Sequence, residues 1–264
     1  MNINKQCIVI FPVYRSLSDC EKASFEQAID MTPGYKHVFI APQSFEVDNS
    51  FDGRLQSVDI LKFDDRFFSN IQGYNHLMLS LDFYKSFVEY EYMLIHQSDA
   101  YLFKPELEAW CNKGFSYIGA PWFWPQIIPE TTLMHWLIRI FPHRYPPKLR
   151  KMFWLQNEVG NGGLSLRRIS HFIKVLEDCP PQLLNEYNTV EEPDFNEDVF
   201  WAYDAPKILK DFKKPTWRQA LHFGFEIYPK KAYKRIGRKL PFGCHGYDKN
   251  DPDFWKQFIP SLNK

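Results

Sequence analysis

Four short stretches of the 264-residue chain carry side chains whose types and spacing suit chemistry. Leu94-Ile95-His96-Gln97-Ser98-Asp99 ends an apolar run in a lone carboxylate. An acid just past a buried strand stands at the carboxyl edge of an open α/β sheet, where such sheets bind ligands. The plainer alternative is that Asp99 caps the next turn. Gly160-Asn161-Gly162-Gly163 surrounds an asparagine with glycines, which permits positive φ and close approach of backbone to a ligand, or merely forms a tight turn. Asn196-Glu197-Asp198-Val199-Phe200-Trp201 sets a carboxylate pair at the expected start of a helix, where acids can abstract a proton or simply complement the helix dipole. Gly243-Cys244-His245-Gly246 holds a loop histidine, structural or ligating.

Strands and helices must deliver these groups to one place. Cys7-Ile8-Val9-Ile10-Phe11-Pro12-Val13-Tyr14 reads as a buried strand of a parallel sheet. Ser18-Asp19-Cys20-Glu21 has the form of a capping box and predicts a helix to about Ile29, stopped by Pro33-Gly34. His37 to Ala41 and Val58 to Leu61 predict two more strands. Tyr74 to Tyr90 predicts one long amphipathic helix with Leu77, Leu81, Tyr84 and Val88 on its apolar face. Tyr92 to His96 is a further buried strand, Pro105 to Trp110 a helix, and Phe115 to Gly119 a strand. The alternation predicts a single α/β domain with a mostly parallel central sheet flanked by helices.

Composition narrows the function classes. Lys and Arg balance Asp and Glu at 32 each, so no basic excess favours nucleic acid as a partner. With 45% hydrophobic and 24% charged residues, the chain is neither disordered nor a membrane bundle. No apolar run approaches the roughly 18 residues of a spanning helix. Five scattered cysteines without a C-x-x-C pair exclude a zinc ribbon and predict reduced thiols. The start, Met1 to Gln6, lacks a secretory signal, so the expected location is cytoplasmic. Residues 121–155 form a proline-, aromatic- and basic-rich insertion containing Trp122, Trp124 and Trp136. Its 133–154 portion reads as a peripheral membrane or acceptor contact at the inner membrane face, or as a solvated excursion. Residues 187–204, with Glu191 and Asp194, are acidic, and residues 207–239 are basic enough to hold a phosphorylated ligand.

The order of these motifs resembles the nucleotide-sugar-dependent glycosyltransferases of the GT-A fold. The strand Ile10-Phe11-Pro12-Val13-Tyr14 is similar to that family's first strand, and Gln97-Ser98-Asp99 takes the place of its Asp-x-Asp motif. More narrowly, Ile95 to Ala100, Tyr117-Ile118-Gly119-Ala120-Pro121-Trp122, Gly160 to Gly163, Asn196 to Trp201 and Leu240 to His245 resemble a bacterial and fungal family of unknown function assigned to this fold. The resemblance runs from about residue 6 to 247.

It implies a nucleotide-binding half over 6–120 and an acceptor and catalytic half over 156–264. The donor, a UDP-sugar, would meet Pro12, Val13, Tyr14, Arg15, Gln97, Ser98, Asp99, Asn161, Gly162 and Gly163. A divalent cation, Mn²⁺ in preference to Mg²⁺, would be held by Asp99 and His245. Gln97 departs from the motif's first aspartate and adds no charge there. Asp198, or else Glu197, would be the base of an inverting transfer, ionised at an ordinary carboxylate pKa of about 3.9. The acceptor would be a glycan or lipid-linked sugar of a surface polysaccharide, with Trp122 and Trp201 either its stacking platforms or packed core. Lys230 or Lys231 would meet phosphate. A metal-dependent phosphoesterase and a non-catalytic nucleotide- or glycan-binding module remain the alternatives.

Overall fold

The computed structural model describes residues 6–123, 133–141, 144–146, 153, 155–190, 192 and 195–263. The readings of Met1 to Lys5, Trp124, Lys148, Arg150, Lys151, Trp154, Glu191 and Asp194 lie outside the described residues.

The central sheet has the order β3-β2-β1-β4-β7-β6. β1 (Cys7–Pro12), β2 (Lys36–Pro42), β3 (Asp59–Phe63) and β4 (Tyr92–His96) run parallel. β7 (Leu164–Arg168) runs antiparallel to both β4 and β6 (Tyr117–Gly119). β1 is buried throughout because both faces are covered: Ile8 and Ile10 enter one core cluster, Cys7, Val9 and Phe11 the other. That is why its sequence is an unbroken apolar run rather than an alternating one.

α1 (Asp19–Met31) begins at the expected capping box, with Ser18 Oγ accepting from Glu21 N–H and the Glu21 carboxylate accepting from Ser18 N–H. Its Phe25 packs 4.7 Å from the Phe11 ring, and burying a side chain of that size contributes roughly 2 kcal/mol. The helix expected from Tyr74 to Tyr90 is two: α2 (Ile71–Met78) and α3 (Leu81–Lys85). Leu79 N–H bonds to Asn75 and His76 carbonyls together, tightening the turn, and the Tyr84 hydroxyl donates to Met78 O at the break. Val88, expected on the apolar face, is exposed as a result.

α4 (Leu107–Cys111), α5 (Leu133–Ile140), α6 (Ile169–Asp178) and α7 (Pro181–Thr189) follow in order. α8 (Glu197–Val199) passes through a π-helical turn, Phe200–Asp204, into α9 (Ala205–Ile208). Beyond them lie α10 (Trp217–Phe223), α11 (Pro229–Arg235) and α12 (Pro252–Trp255). β5 (Ala100–Leu102), β8 (Gly224–Phe225) and β9 (Gly243–His245) make a second sheet with β9 in the middle. Its register sets Ala100 opposite His245, which carries the histidine to the end of β4. All five cysteines are free. Among the described residues no helix is long and apolar enough to cross a membrane.

Candidate active site

A cavity of about 750 Å³ opens at the carboxyl ends of β1 and β4. Pro12, Tyr14 and Arg15 enter it from β1, and Gln97, Ser98 and Asp99 from β4. Asn161, Gly162 and Gly163 come from the loop before β7, Glu197 and Asp198 from α8, and His245 from β9. The four stretches singled out in the sequence therefore converge.

His245 sits at the centre of a polar cluster. Its Nε2 is 3.1 Å from Asp99 Oδ1 and 3.2 Å from Gln97 Oε1, while Nδ1 is 3.2 Å from Glu226 Oε1. Burial opposes charge on the ring, but the bonds to Asp99 and Glu226 outweigh it and push the pKa up to about 10. Asn161 Nδ2 also stands 2.8 Å from Nδ1, its Oδ1 being engaged by Leu164 N–H. When the ring is charged, amide and imidazolium both present N–H there, so this contact must relax. Burial would raise the Asp99 pKa, but His245 and then Lys249, 2.9 Å from Oδ2, hold it far below the usual carboxylate range. Glu226 Oε2 is buried in the cavity wall without a hydrogen-bond partner, an acceptor suited to a ligand hydroxyl.

The donor set fits a divalent cation. Asp99 Oδ1 and Gln97 Oε1 each lie within 3.2 Å of His245 Nε2, and once the ring gives up its proton these are two oxygens and one imidazole nitrogen, a mixture that Mn²⁺ accepts. Among the described residues no group of three His, Cys, Asp or Glu is arranged to hold an ion, so ligand oxygens or water would complete the shell.

The glycines of the Gly-Asn-Gly-Gly loop serve packing. None of Gly160, Gly162 and Gly163 has positive φ; Asn161 does, at 83°. A Cβ on Gly160 would fall 2.3 Å from the Trp122 ring, one on Gly162 2.0 Å from Glu197 Oε1, and one on Gly163 2.1 Å from His245 Nε2. The loop is bare because the Trp122, Glu197 and His245 side chains press against it.

Glu197 is locked. Its Oε1 accepts from the Arg167 guanidinium at 2.9 Å, and Arg167, fully buried, also donates to Tyr84 Oη and Ser165 Oγ. Asn75 on α2 steadies the same turn, accepting from Glu197 N–H and donating to Asn196 Oδ1. Burial raises the Glu197 pKa although Arg167 opposes it. Asp198 has no such cation. Burial, then the charges of Glu197 and Glu226, push its pKa up to about 7. The ordinary value expected for it is thus corrected upward, toward neutrality.

Other expectations also change. Val13 is buried in the core and its side chain does not line the cavity. Trp201, in the π turn, is wholly buried, 3.9 Å from the Phe172 ring, so it is core and no acceptor platform. Trp122 fills the slot left by Gly160 and packs on the core, outside the cavity lining. Lys230 pairs with Asp251, and neither it nor Lys231 lines the cavity. Among the described residues the arginine and lysine lining the cavity are Arg15 and Lys249. The sequence reading missed Arg167, Glu226 and Lys249, and it saw Glu21 only as a cap. Glu21 also accepts from Ser98 Oγ at 2.7 Å and pairs with Arg15, tying the ends of β1 and β4 together. An arginine within the apolar strand of β7 was the one signal available.

A family model described as Protein of unknown function (DUF5672) matches residues 57–245. No curated protein sequence matches the chain. Among solved structures, apo mouse xyloside xylosyltransferase 1 has 10% identity and a TM-score of 0.52, covering 92% of this chain and 97% of that one. A glycosyltransferase involved in the glycosylation of the major capsid of PBCV-1 scores 0.49 at 10% identity, over 97% and 99% of the two chains. Galactosyltransferase LgtC with donor and acceptor sugar analogs scores 0.43 at 10% identity, over 97% and 96%. At such identity the likeness, carried by the xylosyltransferase, establishes the GT-A glycosyltransferase fold and nothing finer.

Proposed function

Since the chain belongs to the DUF5672 family and has the GT-A fold, we propose that it transfers a sugar from a nucleotide-sugar donor, most simply a UDP-sugar, to a glycan or lipid-linked acceptor. One observation carries the reading. A strand-end acid paired with a histidine and a carboxylate poised near neutral pKa line the same cavity.

The nucleobase lies by the exposed ring of Tyr14, and the diphosphate faces Arg15 and Lys249. Asp99 and His245 hold the divalent cation, with the Gln97 amide beside them. When bound, that ion neutralises charge developing on the departing diphosphate, worth several kcal/mol. Ionised Asp198 takes the acceptor hydroxyl proton as the oxygen attacks the anomeric carbon, and the bond to diphosphate breaks with inversion. Arg167 keeps Glu197 out of proton transfer, so Asp198 alone of the pair serves as base. The trend toward a pKa of about 7 favours catalysis over a passive binding module.

Thermal-shift measurements with nucleoside diphosphates and nucleotide sugars, with and without Mn²⁺, test the donor. Binding to the native state alone raises stability by about 2.7 kcal/mol at a hundredfold excess over Kd. A Mn²⁺-dependent shift with one nucleotide is expected; no shift with any of them would refute the reading.

A further inference from the structure

The helix α5 turns its apolar side outward. Leu133, Trp136 and Ile140 recur at i, i+3 and i+7, within an arc of about 60° at 100° per residue. They are 70%, 58% and 47% exposed, and Phe141, just past the helix, is 44% exposed. Ile138, on the opposite side, is buried and ties the helix down. A solvent-facing helix normally carries polar residues where these three stand. Large apolar side chains grouped on a surface mark an interaction site.

The charge along this stretch of sequence is one-sided. Between Glu130 and Glu158 there is no acidic residue, while Arg139, Arg144, Lys148, Arg150 and Lys151 are all basic. The Arg144 guanidinium lies 5.3 Å from the Phe141 ring centroid, joining the charge to the apolar face. An apolar face containing a tryptophan, set in a basic segment, complements a negatively charged lipid surface: rings enter the headgroup region and cations meet phosphate.

The stem of this segment lies next to the cavity. Trp122 N–H donates to Glu158 O, Asn157 N–H donates to Trp122 O, and Pro121 bridges Val159, two residues before cavity-lining Asn161.

We propose that the apolar face of α5, with Arg144 beside it, docks the protein on an anionic membrane surface. The docking stands on this face and its charge, whether or not the transfer reading holds.

The test is cosedimentation of the full chain with phosphatidylcholine vesicles, with and without phosphatidylglycerol. The protein pellets with the anionic vesicles only, and salt weakens the binding. Trp136→Ser with Ile140→Ser, both exposed side chains, lowers partition by about tenfold or more. Arg144→Glu, a surface change that leaves the fold alone, lowers it by about fivefold. Unchanged melting temperatures show that the variants remain folded. Failure to pellet with either vesicle, equal pelleting with both, or variants that pellet like the parent would overturn the proposal. So would a concentration-dependent dimer in size-exclusion chromatography that the double variant abolishes, because a second copy would then cover the face.

Discussion

Asp198 carries the sharpest consequences at the scale of single residues. With its pKa near 7, kcat/KM should rise with pH and level off above that value, and Asp198→Asn should lose about 10²- to 10⁴-fold in turnover while still binding nucleotide. A pH–rate profile beginning with a plateau at pH 5 would contradict the first, and an active Asn variant the second. Stability follows from the same shift. The native state holds this proton more tightly than the unfolded chain does, so ionising Asp198 costs stability as pH climbs from about 4 to 7. Urea denaturation should therefore find Asp198→Asn more stable than the parent by about 1–2 kcal/mol at pH 8, with no gain at pH 4. His96 works from the other side. Burial against Phe11 and Phe25 leaves both ring nitrogens without hydrogen-bond partners and pushes its pKa down to about 3. The unfolded chain takes up that proton first, so stability should fall as pH drops below about 6.5. In His96→Leu the acid limb of the stability curve should flatten; an unchanged limb would rule out this histidine as its source.

Elements decide whether such residues meet. Gly163→Ala introduces a Cβ 2.1 Å from His245 Nε2, so the ring must move away from Asp99. The expected result is lost Mn²⁺ binding by calorimetry, with far-ultraviolet circular dichroism preserved and a stability cost of about 1–3 kcal/mol. Retained Mn²⁺ affinity would remove His245 from the ligand set. The parallel strands and the capping box of α1 were legible in the sequence because their signals are local: apolar runs for β1, β2 and β4, and Ser18 with Glu21. The pairing of Ala100 with His245 was not, since strand register between segments far apart in the chain leaves no local pattern. Trp201, in the π-helical turn, takes the core side of the alternative the sequence left open. Arg167 and Glu226 were hidden for the same reason as the register: what they do depends on Glu197 and His245, which only the fold brings near.

The whole molecule sorts its charge rather than simply balancing it. The basic 207–239 tract turns three of its cations to carboxylates away from the cavity, Lys207 to Asp204, Lys214 to Glu158 and Lys230 to Asp251. The cavity takes Arg15 and Lys249 from outside that tract, and the stretch from 131 to 157 has no acidic residue in its sequence. Replacing residues 124–154 by a short Gly-Ser linker should therefore leave nucleotide binding intact by thermal shift and abolish vesicle binding. Loss of nucleotide binding from a folded variant would show that the two are not separable. The ends of this excursion meet across the Pro121–Val159 bridge, so the sheet and the Asn161 loop see a fixed gap whatever hangs from it. An excursion of another length or charge could then hang there without moving Gln97, Asn161 and His245 apart, and what the surface meets can change while the cavity stays as it is.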